Sequence, residues 1–399
     1  MKTIVDIINS DNCFGCGACI NSCPTNALMY STDEFGFFRP KINLSKCISC
    51  RKCFRVCPKI NNLTVNKPLN VYAAINKDAD ILVRSASGGI FCALAESVIA
   101  QGGCVFGASL DEGFRVRHIC IEKIEDIPLL QKSKYVQSFV GDSYKIALEK
   151  LKNGKKVLFS GTPCQVAAMK SFVGSSNENL ILVEVVCHGI PSQKFFKEYI
   201  QCLNKKYGKI KDYLFTYKRK VLNGMNKYIS FITKKEKIII KDTPQDSYNS
   251  FFMDSINYQK SCYSCKFAQA KRVSDLTICD FWFWEKYHKK DFPSCSTLSG
   301  ICVNTDVGYR ELNIIREKLV LVRSSFANLS AHNGCLIRPT PINLKRDAFL
   351  QEWILNGYEH IEHEFKKKNR FRIIKYKLRM LLPERLKFWL HNMRSRHEH

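Results

Sequence analysis

The sequence predicts a multidomain protein of mixed α+β and α/β class. Three observations lead to this prediction. A four-cysteine phrase occurs twice near the N-terminus, apolar strand-like runs alternate with amphipathic helix patterns through the middle, and the C-terminal segment has a basic, helical pattern. We therefore expect a cysteine-rich domain over residues 1–61, an α/β domain with a mixed sheet over residues 71–340, and a helical C-terminal tail over residues 341–399.

The N-terminal domain consists of a repeated phrase, C-x-x-C-x-x-C-x-x-x-C-P, at residues 13–24 and again at 47–58. This is the bacterial ferredoxin pattern, in which three closely spaced thiolates hold one 4Fe-4S cluster and the fourth thiolate reaches the other cluster. Zinc is the alternative, but zinc sites usually pair two C-x-x-C units across a longer gap. The phrase predicts a dicluster ferredoxin-like domain. Its expected ligands are Cys13, Cys16 and Cys19 with Cys57 for one cluster, and Cys47, Cys50 and Cys53 with Cys23 for the other.

The middle of the chain alternates strands and helices after an Asn-rich linker at residues 62–70. VYAAI and CVFGASL are expected strands on either side of the helix GGIFCALAESVIAQ. Further along, KVLFS and LILVEVVC are expected strands, and PCQVAAMKSF and SQKFFKEYIQCLNKK are expected helices. This rhythm is typical of an α/β domain. Residues 212–241 instead read as antiparallel strands, so the sheet is predicted to be mixed.

Composition limits the classes of protein and partner. The 399-residue chain has twenty cysteines and a net charge of +26. Eight cysteines fall in its first 57 residues, which favours metal ligation over a disulfide framework. Neither a secretory signal nor a membrane-spanning apolar run is seen, so we expect a cytoplasmic protein in a reducing compartment. The positive charge favours acidic partners.

Several phrases in the chain resemble those of the beta subunits of coenzyme F-420 hydrogenases and dehydrogenases, which form one family. They occur in the family's order and, together with the N-terminal repeat, span roughly residues 1 to 305. The matching phrases are RSASGGIFCALAESVIAQGGCVFGASLD at 84–111, KYVQSFVGD at 134–142, GKKVLFSGTPCQVAAMKSF at 154–172, VCHGIPS at 186–192 and CYSCKFAQAKRVSDLTICDFW at 262–282.

The resemblance implies a third 4Fe-4S cluster and FAD in the α/β domain. Its implied cluster ligands are Cys164, Cys187, Cys262 and Cys265. Cys164 is expected at a helix N-terminus, where free amides favour a thiolate, and Cys187 at a strand end, where ligands collect in α/β sheets. The alternative is that Cys164 and Cys187 are ordinary buried cysteines.

The expected flavin site begins with a Ser-Gly-Gly helix start whose amides could hold a pyrophosphate. An ordinary helix cap is the alternative for that segment, and a solvated side chain is the alternative for the lysine of KYVQS. The candidate contacts are Ser85, Ser87, Gly88, Gly89, Lys134, Gln137, Gly161 and Thr162, with Thr162 also expected to be the N-cap of a helix that begins at Pro163. No G-x-G-x-x-G motif opens a βαβ unit, so a Rossmann dinucleotide fold is not expected.

Two departures from the family pattern affect the flavin site. Cys279 and Phe283 flank Asp-Phe-Trp where glycines are usual in the family. Their larger side chains would alter the flavin environment, and Cys279 is a rival cluster ligand. The remaining thiols are expected to be buried and without a role: Cys92, Cys104, Cys120, Cys202, Cys295, Cys302 and Cys335.

The leading hypothesis is an iron-sulfur flavoprotein oxidoreductase that passes electrons between clusters and a flavin-linked two-electron acceptor or donor. A ferredoxin is the expected electron partner. The substrate would be a small or lipid-linked molecule, with a role in surface-polysaccharide biosynthesis as one option. The alternative is a non-catalytic electron-carrier subunit of a larger redox complex. Nucleic acid is not expected, because no aromatic-basic recognition motif accompanies the charge.

The basic tail leaves two interpretations open. FRIIKYKLRMLL and ERLKFWLHNM, separated by the helix-breaking Pro383, are short, cationic and amphipathic. They could lie on the anionic inner face of the membrane, or they could pack on the protein's own core with the cations outward.

Overall fold

The computed structural model describes residues 3–8, 11–174, 177–221, 224–241, 245–292 and 297–382. The strands in these ranges are β1 (Leu28–Thr32), β2 (Phe38–Ile42), β3 (Asn70–Asn76), β4 (Cys104–Leu110), β5 (Val116–Ile121), β6 (Val157–Gly161), β7 (Leu180–Val185), β8 (Ile210–Val221), β9 (Gly224–Thr233), β10 (Ile238–Lys241), β11 (Leu276–Asp280), β12 (Ser299–Val303) and β13 (Leu319–Ser324). The α-helices are α1 (Ile4–Ile7), α2 (Ala18–Asn21), α3 (Lys52–Arg55), α4 (Ala79–Arg84), α5 (Ile90–Ala100), α6 (Ile127–Leu130), α7 (Ser143–Lys152), α8 (Pro163–Val173), α9 (Gln193–Tyr207), α10 (Ser247–Met253), α11 (Glu285–His288), α12 (Asp306–Ile314), α13 (Phe326–Ser330), α14 (Arg346–Lys368) and α15 (Arg370–Leu381).

The centre of the molecule is an eight-stranded sheet in the order β13-β3-β12-β11-β7-β6-β4-β5. Strands β11, β7, β6 and β4 are parallel neighbours, whereas every pair outside these four is antiparallel. The prediction of a mixed sheet is confirmed. The apolar runs of β6 and β7 are buried on both faces, which is why they read as continuous hydrophobic stretches in the sequence.

The carboxyl ends of β6 and β7 meet at one edge of this sheet because the two strands are parallel neighbours. Helix α8 begins directly after β6, with Thr162 as its N-cap and Pro163 in the first turn, as predicted. The Thr162 amide donates to Gln165 Oε1 over 3.1 Å, so the start of the helix is fixed. This edge is where α/β sheets usually place their ligands.

Strands β8, β9 and β10 form a separate three-stranded antiparallel sheet, in the order β10-β9-β8. Their antiparallel pairing was predicted correctly, but they do not join the central sheet. Aromatic side chains of this sheet pack against α9, α10 and α14 in one buried cluster. Each of these elements buries a single apolar face, so the cluster gives them a common core.

The N-terminal region packs its repeat on the central domain through specific hydrogen bonds. The carbonyl of Cys13 accepts from Gln259 Nε2 over 2.7 Å and from Ser261 Oγ over 3.0 Å. The amide oxygen of Gln137 accepts from Phe38 N over 2.8 Å. These bonds fix the repeat relative to the turn that carries Cys262 and Cys265.

Helices α14 and α15 follow the body, so the helical prediction for the tail holds over the described residues. Ile373 packs on the aromatic cluster, whereas Phe371 and Leu378 are exposed. Pro383 and the segment ERLKFWLHNM lie outside the described residues. None of the described helices is long and apolar enough to cross a membrane.

Candidate iron-sulfur centres

The structure brings the predicted cysteines of the repeat together in two groups, each around its own cavity. We call them the inner group, Cys13, Cys16, Cys19 and Cys57, and the outer group, Cys23, Cys47, Cys50 and Cys53. Each group takes three cysteines from one phrase and one from the other, which is the crossed arrangement expected from the sequence. The local cause is the fold of the repeat, in which α2 and α3 pack against each other and bring Cys19 and Cys57 to one cavity.

Left-handed turns allow the chain to wrap tightly around the inner cavity. Gly15 and Gly17 have φ of +65° and +77°. A Cβ on Gly17 would lie 2.0 Å from Tyr30 Oη, so both the backbone conformation and the space require glycine there. The Gly15 amide donates to Cys13 Sγ over 3.3 Å, an interaction that would stabilise a thiolate ligand.

A third cavity, lined by the body group of cysteines, lies at the edge of the central sheet where β6 and β7 end. The body group is Cys164, Cys187, Cys262 and Cys265. Cys164 lies in the first turn of α8, with its sulfur 3.2 Å from Thr162 Oγ1. Cys187 follows β7, and the other two cysteines come from the turn after Gln259. All four predicted residues therefore face one space.

The empty space at the three cavities, counted together with space open to solvent, is similar, at about 470, 540 and 530 Å³ for the inner, outer and body groups. The cavities also adjoin one another. Ile4 lines both the inner and outer cavities, and Phe14 lines both the inner and body cavities. The inner cavity thus lies between the other two.

The cysteines of the three cavities differ in how deeply they are buried. Burial raises the pKa of Cys16 well above its usual value, followed by the charges of Cys57, Cys19 and Cys164. Burial likewise raises the pKa of Cys187, followed by the charge of Cys262. In the outer group Cys50 is exposed. The outer cavity is therefore the one closest to solvent.

Amide donors offset burial at the outer group. Partial burial raises the pKa of Cys23, but hydrogen bonds from Leu28, Thr25 and Ala27 lower it below its usual value overall. The Ala27 amide lies 3.2 Å from the Cys23 sulfur. The loop thus favours a thiolate before any metal is considered.

The donor sets fit 4Fe-4S clusters. Each cavity presents four thiols, and soft thiolates are the ligands that these clusters use. In the body group, burial raises the pKa of all four thiols, and iron would offset the cost of ionising them because it binds the thiolates. Zinc needs only one compact tetrahedral position, so four thiols could also hold zinc, and the iron assignment follows from the repeated ferredoxin phrase.

Nothing in the sequence indicated that Cys335 and His188 lie beside the body cavity. Cys335, expected to have no role, lines this cavity together with His188. Burial raises the pKa of Cys335, but its hydrogen bond with His188 lowers it below the usual value overall. The backbone oxygen of His188 accepts from Thr340 Oγ1 over 2.5 Å. Only the fold could reveal this contact, because Cys335 lies far along the chain from Cys187 and His188 in VCHGIPS.

The expected flavin contacts do not together line any of these three cavities. Ser87 Oγ donates to the Leu298 carbonyl over 2.8 Å, and the Gly88 amide donates to Ser299 Oγ over 2.9 Å. Gly89 has φ of +80° and is the N-cap of α5. The polar groups of Ser87 and Gly88 are therefore bonded within the protein, which matches the alternative of a structural helix start.

The other expected flavin contacts are also bonded within the protein. Lys134 donates to the carbonyls of Gln131 and Leu129 over 2.6 and 3.2 Å, and burial lowers its pKa to about 7. Gln137 bonds Phe38 with its oxygen and Gln259 with its nitrogen. The bond to Phe38 holds the repeat to the body, and the bond to Gln259 lies within the body.

The last three flavin candidates lie in different places. Gly161 and Thr162 precede α8, and Thr162 lines the body cavity. Ser85 is buried after α4. A buried lysine that sequence reasoning missed, Lys218, donates to the carbonyls of Ser87 and Leu82 over 2.7 and 3.1 Å beside this segment. Of the eight candidates, Thr162 alone lines one of the three cavities.

Other thiols lie away from the three cavities. Cys279 contacts the Gly300 carbonyl on β12 and does not line the body cavity, so the structure does not support it as a rival ligand. Cys104 and Cys120 lie together with Glu122, whose carboxylate pairs with Lys150 and Lys155 over 2.7 and 2.8 Å. Those two cations disfavour a metal ion at this cluster. Cys295 lies outside the described residues.

A repeated ferredoxin phrase on an α/β body, with a further four-cysteine cavity at the sheet edge, defines an iron-sulfur redox protein. Comparison with known families agrees. Residues 12–61 match the 4Fe-4S dicluster domain, and residues 154–327 match the C terminus of the coenzyme F420 hydrogenase/dehydrogenase beta subunit. The resemblance seen in the sequence is thereby confirmed: the chain carries this family's C-terminal domain behind a dicluster domain.

Individual relatives are distant. The chain is 23% identical over 189 residues to one of the subunits of the F(420)H(2) dehydrogenase of Methanosarcina mazei, covering 45% of this chain and 54% of that protein. It is 27% identical over 176 residues to a coenzyme F420-dependent sulfite reductase of Methanocaldococcus jannaschii, covering 41% and 26%. The chain thus spans about half the length of the first relative.

A solved structure of the F420-reducing [NiFe] hydrogenase complex from Methanosarcina barkeri also aligns. It gives a TM-score of 0.43 at 15% identity, over 75% of this chain and 93% of that one. A score of this size supports no conclusion about this chain.

Proposed function

We propose that the chain is an electron-transfer subunit that carries three 4Fe-4S clusters in a row. The outer group would hold the cluster nearest the surface, the inner group the middle cluster, and the body group the third. The observation that carries this proposal is the set of three adjoining cavities, each lined by the four cysteines of its own group. When bound, such clusters supply one-electron transfer.

The chain's own residues position this row and exclude water from it. Phe14 packs on Phe267 with ring centroids 5.6 Å apart, which fills the space between the inner and body cavities. Arg39 lines the inner cavity and pairs with Asp33 over 3.0 Å. Its positive charge lies where an added electron would be stabilised, since charge near a cluster tunes its potential.

The narrower function rests on the family. The narrower hypotheses are FAD as a hydride carrier in the α/β body, a role in surface-polysaccharide biosynthesis, a lipid-linked substrate and peripheral membrane contact through the tail. The bonded state of the predicted flavin contacts favours the alternative, a carrier subunit that passes electrons to a partner enzyme. One relative is named as part of an F(420)H(2) dehydrogenase and another as a coenzyme F420-dependent sulfite reductase, which makes a redox partner protein the natural recipient.

Anaerobic purification with quantification of iron, acid-labile sulfide and flavin tests both interpretations. Three clusters predict about twelve iron atoms per chain. One FAD per chain would support the flavoprotein, and its absence at full iron content would support the carrier. A zinc-loaded protein without labile sulfide would refute the proposal.

Cysteine variants make the test specific to each cavity. Cys50→Ser and Cys187→Ser are each expected to lose about four iron atoms, because each removes one ligand of a different cluster. Cys202→Ser is the matched control, since this thiol is buried on α9 away from all three cavities. Equal iron content in all three variants would contradict the assignment.

A further inference from the structure

We propose that the surface around the outer cavity is the docking site of an acidic redox carrier protein. This inference rests on the proposed function. We call the surface the outer face and define it by the exposed residues Leu44, Lys46, Ile48, Cys50, Arg51 and Lys52. One electron would leave the reduced carrier and arrive at the cluster held by the outer group, with no proton moved and no bond formed or broken.

The charge of the outer face has one sign. The sequence contains no Asp or Glu between Glu34 and Asp78. Five cations of this stretch are exposed and form no ion pair with any residue in the described ranges: Lys41, Lys46, Arg51, Lys52 and Arg55. Unpaired cations of one sign around a redox centre attract an acidic surface over a distance of about one Debye length, or ~10 Å.

Several surface cations elsewhere in the described ranges form ion pairs. Lys150 and Lys155 both pair with Glu122, and Lys260 pairs with Asp11 over 2.7 Å. The exposed Lys234, Lys235 and Lys237 form no ion pair with a described residue, so unpaired cations also occur away from the outer face. The outer face differs in that Arg51 and Lys52 directly follow the exposed ligand Cys50, in a stretch of sequence without acidic residues.

The outer face also has an apolar centre. The side chains of Leu44 and Ile48 are 68% and 63% exposed, on either side of Cys47. Exposed leucine and isoleucine close in sequence to exposed cations match the usual composition of an interface, which has an apolar core and a polar rim. Their area is small, as expected for the brief encounters of electron-transfer partners.

The loop is built to present these residues. The Asn43 side chain accepts from the Ser45 amide over 3.0 Å and fixes the turn that carries Leu44. Ser49 and Arg51 have φ of +57° and +58°, a left-handed conformation that non-glycine residues rarely adopt. These two turns bracket Cys50 and hold it at the surface.

The residues of the outer face favour a protein over the other anionic partners. Nucleic acid binding usually adds aromatic side chains on which bases stack, and the outer face has none. A membrane surface would need a longer apolar strip than two side chains. An acidic redox protein matches the charge, the small apolar centre and the exposed cluster ligand together.

The test compares two variants with the same change in charge. Lys46→Gln, Arg51→Gln and Lys52→Gln are combined in one variant, and Lys234→Gln, Lys235→Gln and Lys237→Gln in the control. The control cations are exposed on and beside the turn between β9 and β10, away from all cysteine cavities. The probe is an acidic 2Fe-2S ferredoxin reduced with dithionite, whose oxidation is followed by stopped-flow absorbance.

For the outer-face variant we expect the second-order rate constant to fall about tenfold at low ionic strength, and the difference to disappear near 1 M salt. The affinity for the oxidised ferredoxin, measured by titration calorimetry, should weaken in parallel. The control variant should behave like the unmodified protein in both measurements.

Two results would overturn the docking site: equal rates for the two variants, or rates that do not depend on salt. Binding to phosphatidylglycerol vesicles that the outer-face variant alone loses would assign the surface to lipid and also overturn it. Failure of the proposed function is separate, because it would appear as missing iron, or as clusters that dithionite does not reduce, in the unmodified protein.

Discussion

Replacing Arg272 with methionine should destabilise the body cavity from outside its ligand shell. Arg272 and Glu184 are 1% and 0% exposed and form a buried ion pair between the turn after Cys265 and strand β7. Arg272 also donates to the carbonyls of Phe267 and Gln269 over 3.2 and 2.8 Å. The side chain thus joins the segment that carries Cys265 to the strand that leads to Cys187.

The magnitude follows from the charge left behind. Burial raises the pKa of Glu184, and the Arg272 charge and its hydrogen bonds oppose that rise. In the variant, Glu184 keeps the hydrogen bond that Thr277 Oγ1 donates over 2.9 Å. Removing one partner of a buried ion pair costs about 3–5 kcal/mol, because the other charge stays buried without compensation. We expect a loss of that size in the free energy of unfolding, together with about four iron atoms.

The assay combines denaturant unfolding with iron content for anaerobically purified protein. The double variant Arg272→Met with Glu184→Gln should recover much of the stability, since removing both charges of a buried pair is often nearly neutral. Lys211→Met is the surface control: it breaks an exposed pair with Glu236 and should leave the unfolding midpoint unchanged. A single variant with full iron and a loss below about 1 kcal/mol would refute the reasoning.

Three further predictions concern the inner cavity and pH. Gly17→Ala should lose about four iron atoms, because its Cβ would meet Tyr30. Gly102→Ala, at a glycine with φ of +74° and open space around the added Cβ, should keep its iron. Similar losses in both variants would show that backbone strain alone causes the loss of iron. Arg39→Gln should lower the reduction potential of the inner cluster in a redox titration followed by electron paramagnetic resonance, and a rise would contradict the charge argument. Burial lowers the pKa of His118 to about 4 from 6.5, so the unfolded chain binds the proton first and stability falls by up to about 3 kcal/mol as the pH drops from about 6.5 to 4. In denaturant titrations across this range, His118→Gln should lose that slope, and an unchanged slope would exclude His118 as its source.

The ligands of the repeat could be predicted because their chemistry is local. The spacing of the cysteines within twelve residues determines which sulfurs can bind the same cluster. Only the fourth ligand of each cluster, which comes from the other phrase, requires the second copy of the phrase. The body group needed more. Its four cysteines come from three separate segments, so only the order of motifs along the chain connected Cys164, Cys187 and the pair at 262 and 265 before the fold was known.

What could not be predicted depends on long-range packing. Periodicity showed that β8, β9 and β10 are antiparallel strands, but it does not determine which sheet a strand joins, and these form their own. In the same way, KYVQS contains a glutamine, Gln137, that a flavin could contact, but in the structure its side-chain amide is hydrogen-bonded to Phe38 and Gln259. The approach of Cys335 to His188 has no local signal at all.

The hydrogen bonds of Cys13 tie the inner cavity to the body cavity. Gln259 and Ser261 both donate to the Cys13 carbonyl, and Ser261 directly precedes Cys262. A ligand of one cavity is thus tied through its own backbone to the turn that carries two ligands of the other. The rate of electron transfer falls steeply with the distance between redox centres. A distance fixed by short hydrogen bonds between the two domains therefore matters more for this rate than the stability of either domain alone. At the other end of the row Cys50 is exposed, which is consistent with a row that is rigid inside the protein and open to a partner at its end.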